Sequence, residues 1–478
     1  MRILIDLQGA QSGSRPRGIG RYSQALAKAI LKNRGRHDVF ILLNDLFSDA
    51  IDEIKRDFAA LLPAERVLVF SVPGPAEGFR KGDAWRIQAA ELIREKAIYD
   101  IAPDVLLVTS LFEGGIDSAV TSVGNLHNSV KTAIVFYDLI PLMNPDRYIP
   151  DPQARAWYYR KIESLRRADL LLPISDSARA EAIGALGFDS GRVATIFSAA
   201  DDRFTANNVS QQDHQAFFDR VGIKRKFVMH TSAFEQRKNF EGLVRAFGLL
   251  PKKVRGDFQL VLVMAISHEN QIALRRLADD AGLGPDEMVL TGYVHDNELV
   301  ALYALCTLFV FPPFHEGFGL PALEAMCCGA AVIGSNVTSI PEVIGRADAL
   351  FDPHSDKSIA QVMRRALSDK AFWKDLKAHA AKQSKLFSWD RSARLALRAI
   401  EKLNDAPAKE DARLDSSGIL EKIAALEPGV EPSQKDWMAA AGSIVSNDRM
   451  LRRRQTEWVK NLSGQVAEVK DLSDDDHP

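Results

Sequence analysis

Two glutamates with seven residues between them, Glu316 and Glu324, flank the glycine turn Glu316-Gly317-Phe318-Gly319 in the stretch FPPFHEGFGLPALEAMCCGAAVIGS. The apolar run Leu308–Phe311 reads as a strand, Pro312-Pro313 breaks it, and a helical pattern follows around Leu323, Ala325 and Met326. A strand, a glycine turn and a helix N-terminus together suit an anionic ligand, so the glutamates must do something other than bind the anion. A carboxylate between an apolar strand and an apolar helix is partly buried and needs a partner. Arg237 and Lys238, in VMHTSAFEQRKNFEGLVRAF, follow another strand and precede another helix. A guanidinium and an ammonium placed there can neutralise a diphosphate without metal. Gly18-Ile19-Gly20 follows the first strand and opens a helix, where N–H groups can meet a phosphate. In TGYVHDNELVALYALC, Gly292, Tyr293 and Val294 lie just after a strand, where a nucleobase can rest on backbone; a plain turn capped by Asp296 or Asn297 fits equally.

These groups are positioned by a repeating strand–helix alternation. Expected strands are 2–6, 39–43, 66–70, 105–108, 133–137, 170–173 and 193–197. After a polar break at 201–215 they resume at 226–230, 259–264, 288–291, 308–311, 331–334 and 349–351. Apolar strands without alternation imply parallel sheets covered on both faces. The expectation is an α/β chain of two doubly wound, Rossmann-like domains facing across a cleft, with the chemistry in loops after strands. The first domain is assigned to 1–204 and the second to 205–388. A crossover helix at 389–405 and a linker with a helical extension at 406–478 follow.

A length of 478 residues exceeds what one core supports, and a hydrophobic content of 46% is that of an ordinary globular protein. A net charge of −2 gives no electrostatic case for nucleic acid. The longest apolar runs are strand-length, far short of the roughly 18 residues a membrane span needs. MRILIDLQGA carries an acid where a signal peptide needs an unbroken apolar region, so a cytoplasmic location is expected. The three cysteines offer no disulfide framework, and the ten histidines show no metal-ligand spacing. Asp474-Asp475-Asp476 lies in a tail with no strand before it, so no metal site is expected there. His127, before the strand at 133, is a cleft or an exposed loop residue. Two features stay open. Gly18-x-Gly20-x-x-Ser23, with Asp45 after the second strand, half-matches a dinucleotide fingerprint and leaves a nucleotide-cofactor oxidoreductase as an alternative. Residues 448–469 interleave Met450, Leu451, Trp458, Val459 and Leu462 with four arginines. That pattern suits peripheral membrane contact or self-association, or a helix packed on its own body.

The pieces RGIGRYSQAL, VFYDLIPLMNP, LLPISDSARAEAI, FEQRKNFEGLVRAF and HEGFGLPALEAMCCGAAVIGSNVTSIPEVIG, in that order, resemble family 4 of the retaining, nucleotide-sugar-dependent glycosyltransferases of GT-B fold. The resemblance spans about residues 1–403. It implies that Glu316 lies beside the donor sugar and that Glu324 holds the nucleotide ribose. Arg237 and Lys238 take the donor diphosphate, and Gly317, Phe318, Gly319 and Leu320 offer N–H groups to sugar and phosphate. Gly18 and Gly20 face them from the first domain, and Trp389 opens the crossover helix. Tyr137-Asp138 stands where relatives often carry His-Asp, so the sugar contact of that histidine does not transfer simply to Tyr137, while Asp138 is retained.

The implied reaction is retaining: the acceptor hydroxyl attacks the face that the diphosphate leaves, and the leaving group takes its proton. No cofactor beyond the nucleotide sugar and no divalent metal is implied. The run 135–145 and the Glu-Gln-Arg-Lys-Asn form of the basic loop resemble bacterial surface-polysaccharide mannosyltransferases. They imply GDP-mannose as donor, with a UDP- or TDP-hexose as alternative, and a glycan or lipid-linked glycan as acceptor.

Overall fold

The computed structural model describes the chain except residues 81, 83, 127–129, 206–208, 211, 408–415, 427–431 and 472–478; for 416–417 and 453–471 it describes the backbone course only. His127 and Asp474 to Asp476 therefore lie outside the described residues.

Among the described residues the apolar runs form two six-stranded parallel sheets. The first contains β1 (Arg2–Asp6), β2 (Asp38–Asn44), β3 (Val67–Phe70), β4 (Val105–Val108), β5 (Lys131–Phe136) and β6 (Leu170–Pro173). The second contains β7 (Lys226–Thr231), β8 (Phe258–Val263), β9 (Met288–Leu290), β10 (Leu308–Phe311), β11 (Val332–Ser335) and β12 (Leu350–Phe351). Their orders are β3-β2-β1-β4-β5-β6 and β12-β11-β10-β7-β8-β9. In each, the chain winds outward from a central strand, returns, and winds out the other way. The reversal falls between β1 and β4 in one sheet and between β7 and β10 in the other. At such a point the loops on either side diverge to opposite faces and leave a crevice beyond the strand ends. This is the GT-B arrangement. The reason is visible in burial: β4, β6, β8, β10 and β11 are buried at every position, as strands covered on both faces must be.

The segment 193–197 does not form the strand expected of it. Val193 makes a single bridge to Leu171, while Ala194 N and Ile196 N donate to the Leu171 and Pro173 carbonyls at 3.0 and 2.8 Å. Phe197 then turns into the left-handed region at φ 62°, which ends any extension of the ladder. Phe197 instead serves the passage between the domains. Its ring meets Phe387 at 6.0 Å, Arg391 stands over it at 5.0 Å, and its carbonyl accepts from the Tyr22 hydroxyl at 3.0 Å. The helix Trp389–Asn404 runs back along the helix Gly18–Asn33, with the Trp389 and Tyr22 rings edge to face at 4.9 Å.

The C-terminal helices Ser416–Ala424 and Gln434–Asp471 settle on the first sheet's flank. Ile419, Ile423, Ala440 and Ile444 are buried in one cluster with Leu68, Phe70, Trp85 and Ile93, and Trp437 meets Trp85 at 4.9 Å. Asn447 exchanges hydrogen bonds with the Ser71 backbone at 2.7 and 3.0 Å, just beyond the edge strand β3. An edge strand left open invites pairing with another chain, and this helix closes it. The region 448–469 is helical, Met450 and Leu451 pack on the body, and the side chains from Arg453 onward lie outside the described residues. Deleting everything after Pro407 should lower the apparent melting temperature by about 5 °C or more. Each lost isoleucine forfeits about 1.5–3 kcal/mol of burial, and calorimetry reads the result.

Candidate functional site

The loops after β7 and β10 meet at the second sheet's reversal point. The loop after β7 ends in the tight turn Gln236–Lys238 and then Asn239, left-handed at φ 56°. Asn239 caps the helix Phe240–Gly248 by accepting from Gly242 N at 3.1 Å and anchors to the Pro353 carbonyl at 2.9 Å. With that end fixed, Arg237 and Lys238 are aimed at the loop after β10. Phe314 N donates to the Arg237 carbonyl at 2.8 Å, and Arg237 Nη1 donates to the His315 carbonyl at 3.2 Å.

Glu316 is the partnered carboxylate that the sequence demanded. It is buried, at 8% exposure, with Lys238 Nζ on its Oε1 and Arg237 Nη1 3.1 Å from the same oxygen. Burial alone would push its carboxyl up, but the two cations outweigh that and hold it below the usual value. Glu316 N donates to Thr338 Oγ1 at 3.2 Å and its carbonyl accepts from Ser339 Oγ at 3.0 Å, which fixes the backbone that carries it. Lys238 also lies over the Phe311 ring at 5.8 Å.

The turn that follows is glycine for steric reasons. A Cβ on Gly317 would stand 2.9 Å from the Tyr137 carbonyl and 3.0 Å from Asp138 Oδ2, so the first domain touches the turn there. Gly319 adopts φ 103° and caps the helix Leu320–Cys327, leaving Gly317 to Leu320 at that helix's positive end. Phe318 is buried, edge to face with Phe387 at 5.5 Å. Asp138 accepts from Ile140 N at 3.0 Å; burial, with Glu181 and Glu316 nearby, raises its carboxyl against the pull of Arg237. Tyr137 turns away. Its hydroxyl donates to the Thr109 carbonyl at 3.0 Å, and its ring meets Tyr22 at 5.3 Å inside the first domain.

Glu324 occupies a separate environment. It accepts from the Tyr303 hydroxyl at 2.9 Å, and burial pushes its carboxyl up to about 7; Tyr303 and Arg21 pull it down, and Asp201 and Asp296 push it further up. Asp296 pairs with Arg203 and lies 3.6 Å from Arg21 of the first domain. It is free to do so because His295, not Asp296 or Asn297, is the N-cap of the helix Asp296–Leu305; Glu298 accepts from His295 N at 2.9 Å. Tyr293, 74% exposed, stands on the rim beside half-buried Val294. Gly18 opens its helix without crowding, whereas a Cβ on Gly20 would lie 2.5 Å from Ser14 O and from Arg15 Cα. Gly20 is thus small because its own loop folds onto it. Thr338, Ser339, Tyr303 and Ser175, whose Oγ donates to the Gly317 carbonyl at 2.6 Å, were not singled out from the sequence. All four lie inside the quoted motifs, where a hydroxyl side chain amid apolar ones was the available signal.

A carboxyl raised from 4.5 to about 7 makes ionisation costly to the fold, a cost absent at low pH and complete above about 7. Glu324→Gln, which mimics the neutral acid, should therefore raise stability by about 1–3 kcal/mol at pH 8 and by little at pH 4.5. Thermal unfolding across that range checks the sign.

The family described as Glycosyl transferases group 1 matches residues 213–385. The serotype-specific mannosyltransferase WbdA of Escherichia coli is 40% identical over 458 residues, covering 94% of this chain and 54% of its own. The chain thus spans about half the length of that relative. The O-antigen chain mannosyltransferase B of Escherichia coli is 31% identical over 284 residues, covering 58% of this chain and 72% of its own. A glycosyltransferase from Rickettsia africae ESF-5 superposes with a TM-score of 0.59 at 16% identity, over 85% of this chain and 99% of that one. These likenesses set aside the oxidoreductase alternative, and the chain belongs to the group 1 glycosyltransferases.

Proposed function

We propose that the chain transfers mannose from GDP-mannose, with retention and without a divalent metal, to a hydroxyl of a glycan or lipid-linked glycan in bacterial surface-polysaccharide synthesis. The observation that carries this reading is the buried Glu316 with Arg237 and Lys238 beside the helix N-terminus at Leu320, directly opposite Asp138. Two cations and a positive helix end suit a departing diphosphate, and a carboxylate held ionised by those cations suits the positive charge that grows on the sugar ring. The acceptor oxygen forms its bond to the anomeric carbon as the phosphate oxygen leaves with the bonding pair, and that oxygen takes the acceptor's proton. Such a route needs no enzymic base. Glu324, on the helix behind the turn, is the ribose-holding carboxylate, and Tyr303 orients it. Gly18 and Gly20 border the donor from the first domain, and the Tyr293–Val294 turn borders the base.

Mannose is favoured because the two Escherichia coli relatives described above are named mannosyltransferases; a UDP- or TDP-hexose donor is the second reading. No described helix is long and apolar enough to cross a membrane. We assign the chain to the cytoplasm, peripheral at the inner membrane face.

Purified protein incubated in EDTA with GDP-mannose, UDP-hexoses and TDP-hexoses should release nucleotide from GDP-mannose alone. Release that requires added magnesium or manganese would defeat the metal-independent route, and release from a UDP-sugar would defeat the donor assignment.

The two glutamates should fail differently. Glu324→Ala should raise the donor KM roughly ten- to a hundredfold, the loss of a charged hydrogen bond made equally in ground and transition states. Glu316→Gln should lower kcat by about 10²–10³ with little change in donor binding, because its charge matters as the glycosidic bond breaks. Steady-state kinetics with calorimetric GDP titration separates the two effects.

A further inference from the structure

We propose that Glu181 is a positioning residue for transfer: it clamps the loop that carries Glu316 to the loop that carries Asp138, so that the two halves of the site come into register as the domains close. The inference rests on the transferase reading above for its chemistry, and on geometry for the clamp.

Glu181 lies on the helix Asp176–Leu186, which follows β6 in the first domain, and its side chain is 9% exposed. Both carboxylate oxygens are engaged. Oε1 lies 2.7 Å from His315 Nε2 of the second domain, and Oε2 accepts from Leu139 N at 2.9 Å. His315 immediately precedes Glu316, and Leu139 immediately follows Asp138. One side chain therefore ties the neighbour of each site carboxylate to the neighbour of the other. The His315 carbonyl meanwhile receives Arg237, so the clamp extends to the cation that pairs with Glu316.

Other contacts cross at the same place but act on backbone alone. Ser175 Oγ meets the Gly317 carbonyl, and Glu342 accepts from the N–H groups of Asp176 and Ser177 at 2.9 and 3.1 Å. The Glu181 link joins two titratable side chains. Burial pushes the His315 imidazole down, but the Glu181 hydrogen bond and charge, with Asp138 and Glu316 behind it, raise it above its ordinary value. The opposing cation is Arg237. The charged form of the pair is present below that raised value and is lost as pH rises through it.

The test uses Glu181→Gln and His315→Gln in the full chain, because an amide at position 315 can still donate to Glu181 but does not titrate. Nucleotide release from GDP-mannose should show kcat falling about tenfold in E181Q, with donor KM within about threefold of wild type. Its alkaline limb should move to lower pH, since His315 loses the carboxylate that raises it. H315Q should keep kcat within about threefold and lack that limb. An E181Q kcat within twofold of wild type, or the same limb in all three proteins, overturns the proposal. Energy transfer between dyes placed one in each domain reads closure without any turnover. Wild type should be more closed at pH 6 than at pH 9, E181Q more open at both, and H315Q indifferent to pH. If wild type releases nothing from GDP-mannose, the donor reading fails and the closure measurement alone decides the clamp; identical transfer efficiencies in all three proteins sink it.

Discussion

A carboxylate can sit in a nearly dry crevice only if positive charge comes with it, and the buried Glu316 is the constraint from which the rest of this site follows. Its partners lie far earlier in the chain, Lys238 by 78 residues and Arg237 by one more. Adjacent central strands are what bring them together, since β7 and β10 lie side by side, with Leu308 opposite Val228. Loops leaving neighbouring parallel strands diverge to opposite faces, and the charged triad holds the beginnings of those loops together. Asn239, Thr338 and Ser339 serve the same end by fixing the backbone on either side.

The two glutamates of the glycine turn illustrate how environment divides identical chemistry. Glu316, faced by two cations, is held ionised. Glu324, eight positions on, is faced by a phenol and by a cluster in which Asp201 and Asp296 oppose Arg21, and burial dominates. One position suits a permanent negative charge near a developing positive one. The other suits an acceptor whose ionisation is favoured only when hydroxyls arrive to donate to it.

Much of the architecture was legible in the sequence because strands buried on both faces leave uninterrupted apolar runs, and glycine turns after such runs mark where a ligand can approach. The demand that Glu316 have a partner was legible too, from its apolar flanks. Which partner was not: Arg237 and Lys238 were read as waiting for a diphosphate, and the structure pairs them first with Glu316. The misread run at 193–197 is apolar for another reason, since Ile196 is core while Phe197 belongs to the passage between domains. Gly20 carries a demand that the sequence did not show, since its crowding against Ser14 and Arg15 is set by the loop's own path. The Glu181–His315 pair carries no local signal, because its members lie 134 residues apart, one on a helix of the first domain and one in a loop of the second.

The chain passes between its two domains twice, once after Phe197 and once before Trp389, and the passages touch through Phe197, Phe387 and Arg391. Two tethers side by side act as a pair of hinge pins. Tethers so placed leave rotation about the line through them cheap and make twisting or sliding costly. Phe318, in the glycine turn itself, rests its ring on Phe387 of that axle. The turn is therefore mounted close to the pivot, where a given swing displaces atoms least, while the outer lips of the cleft sweep the widest path.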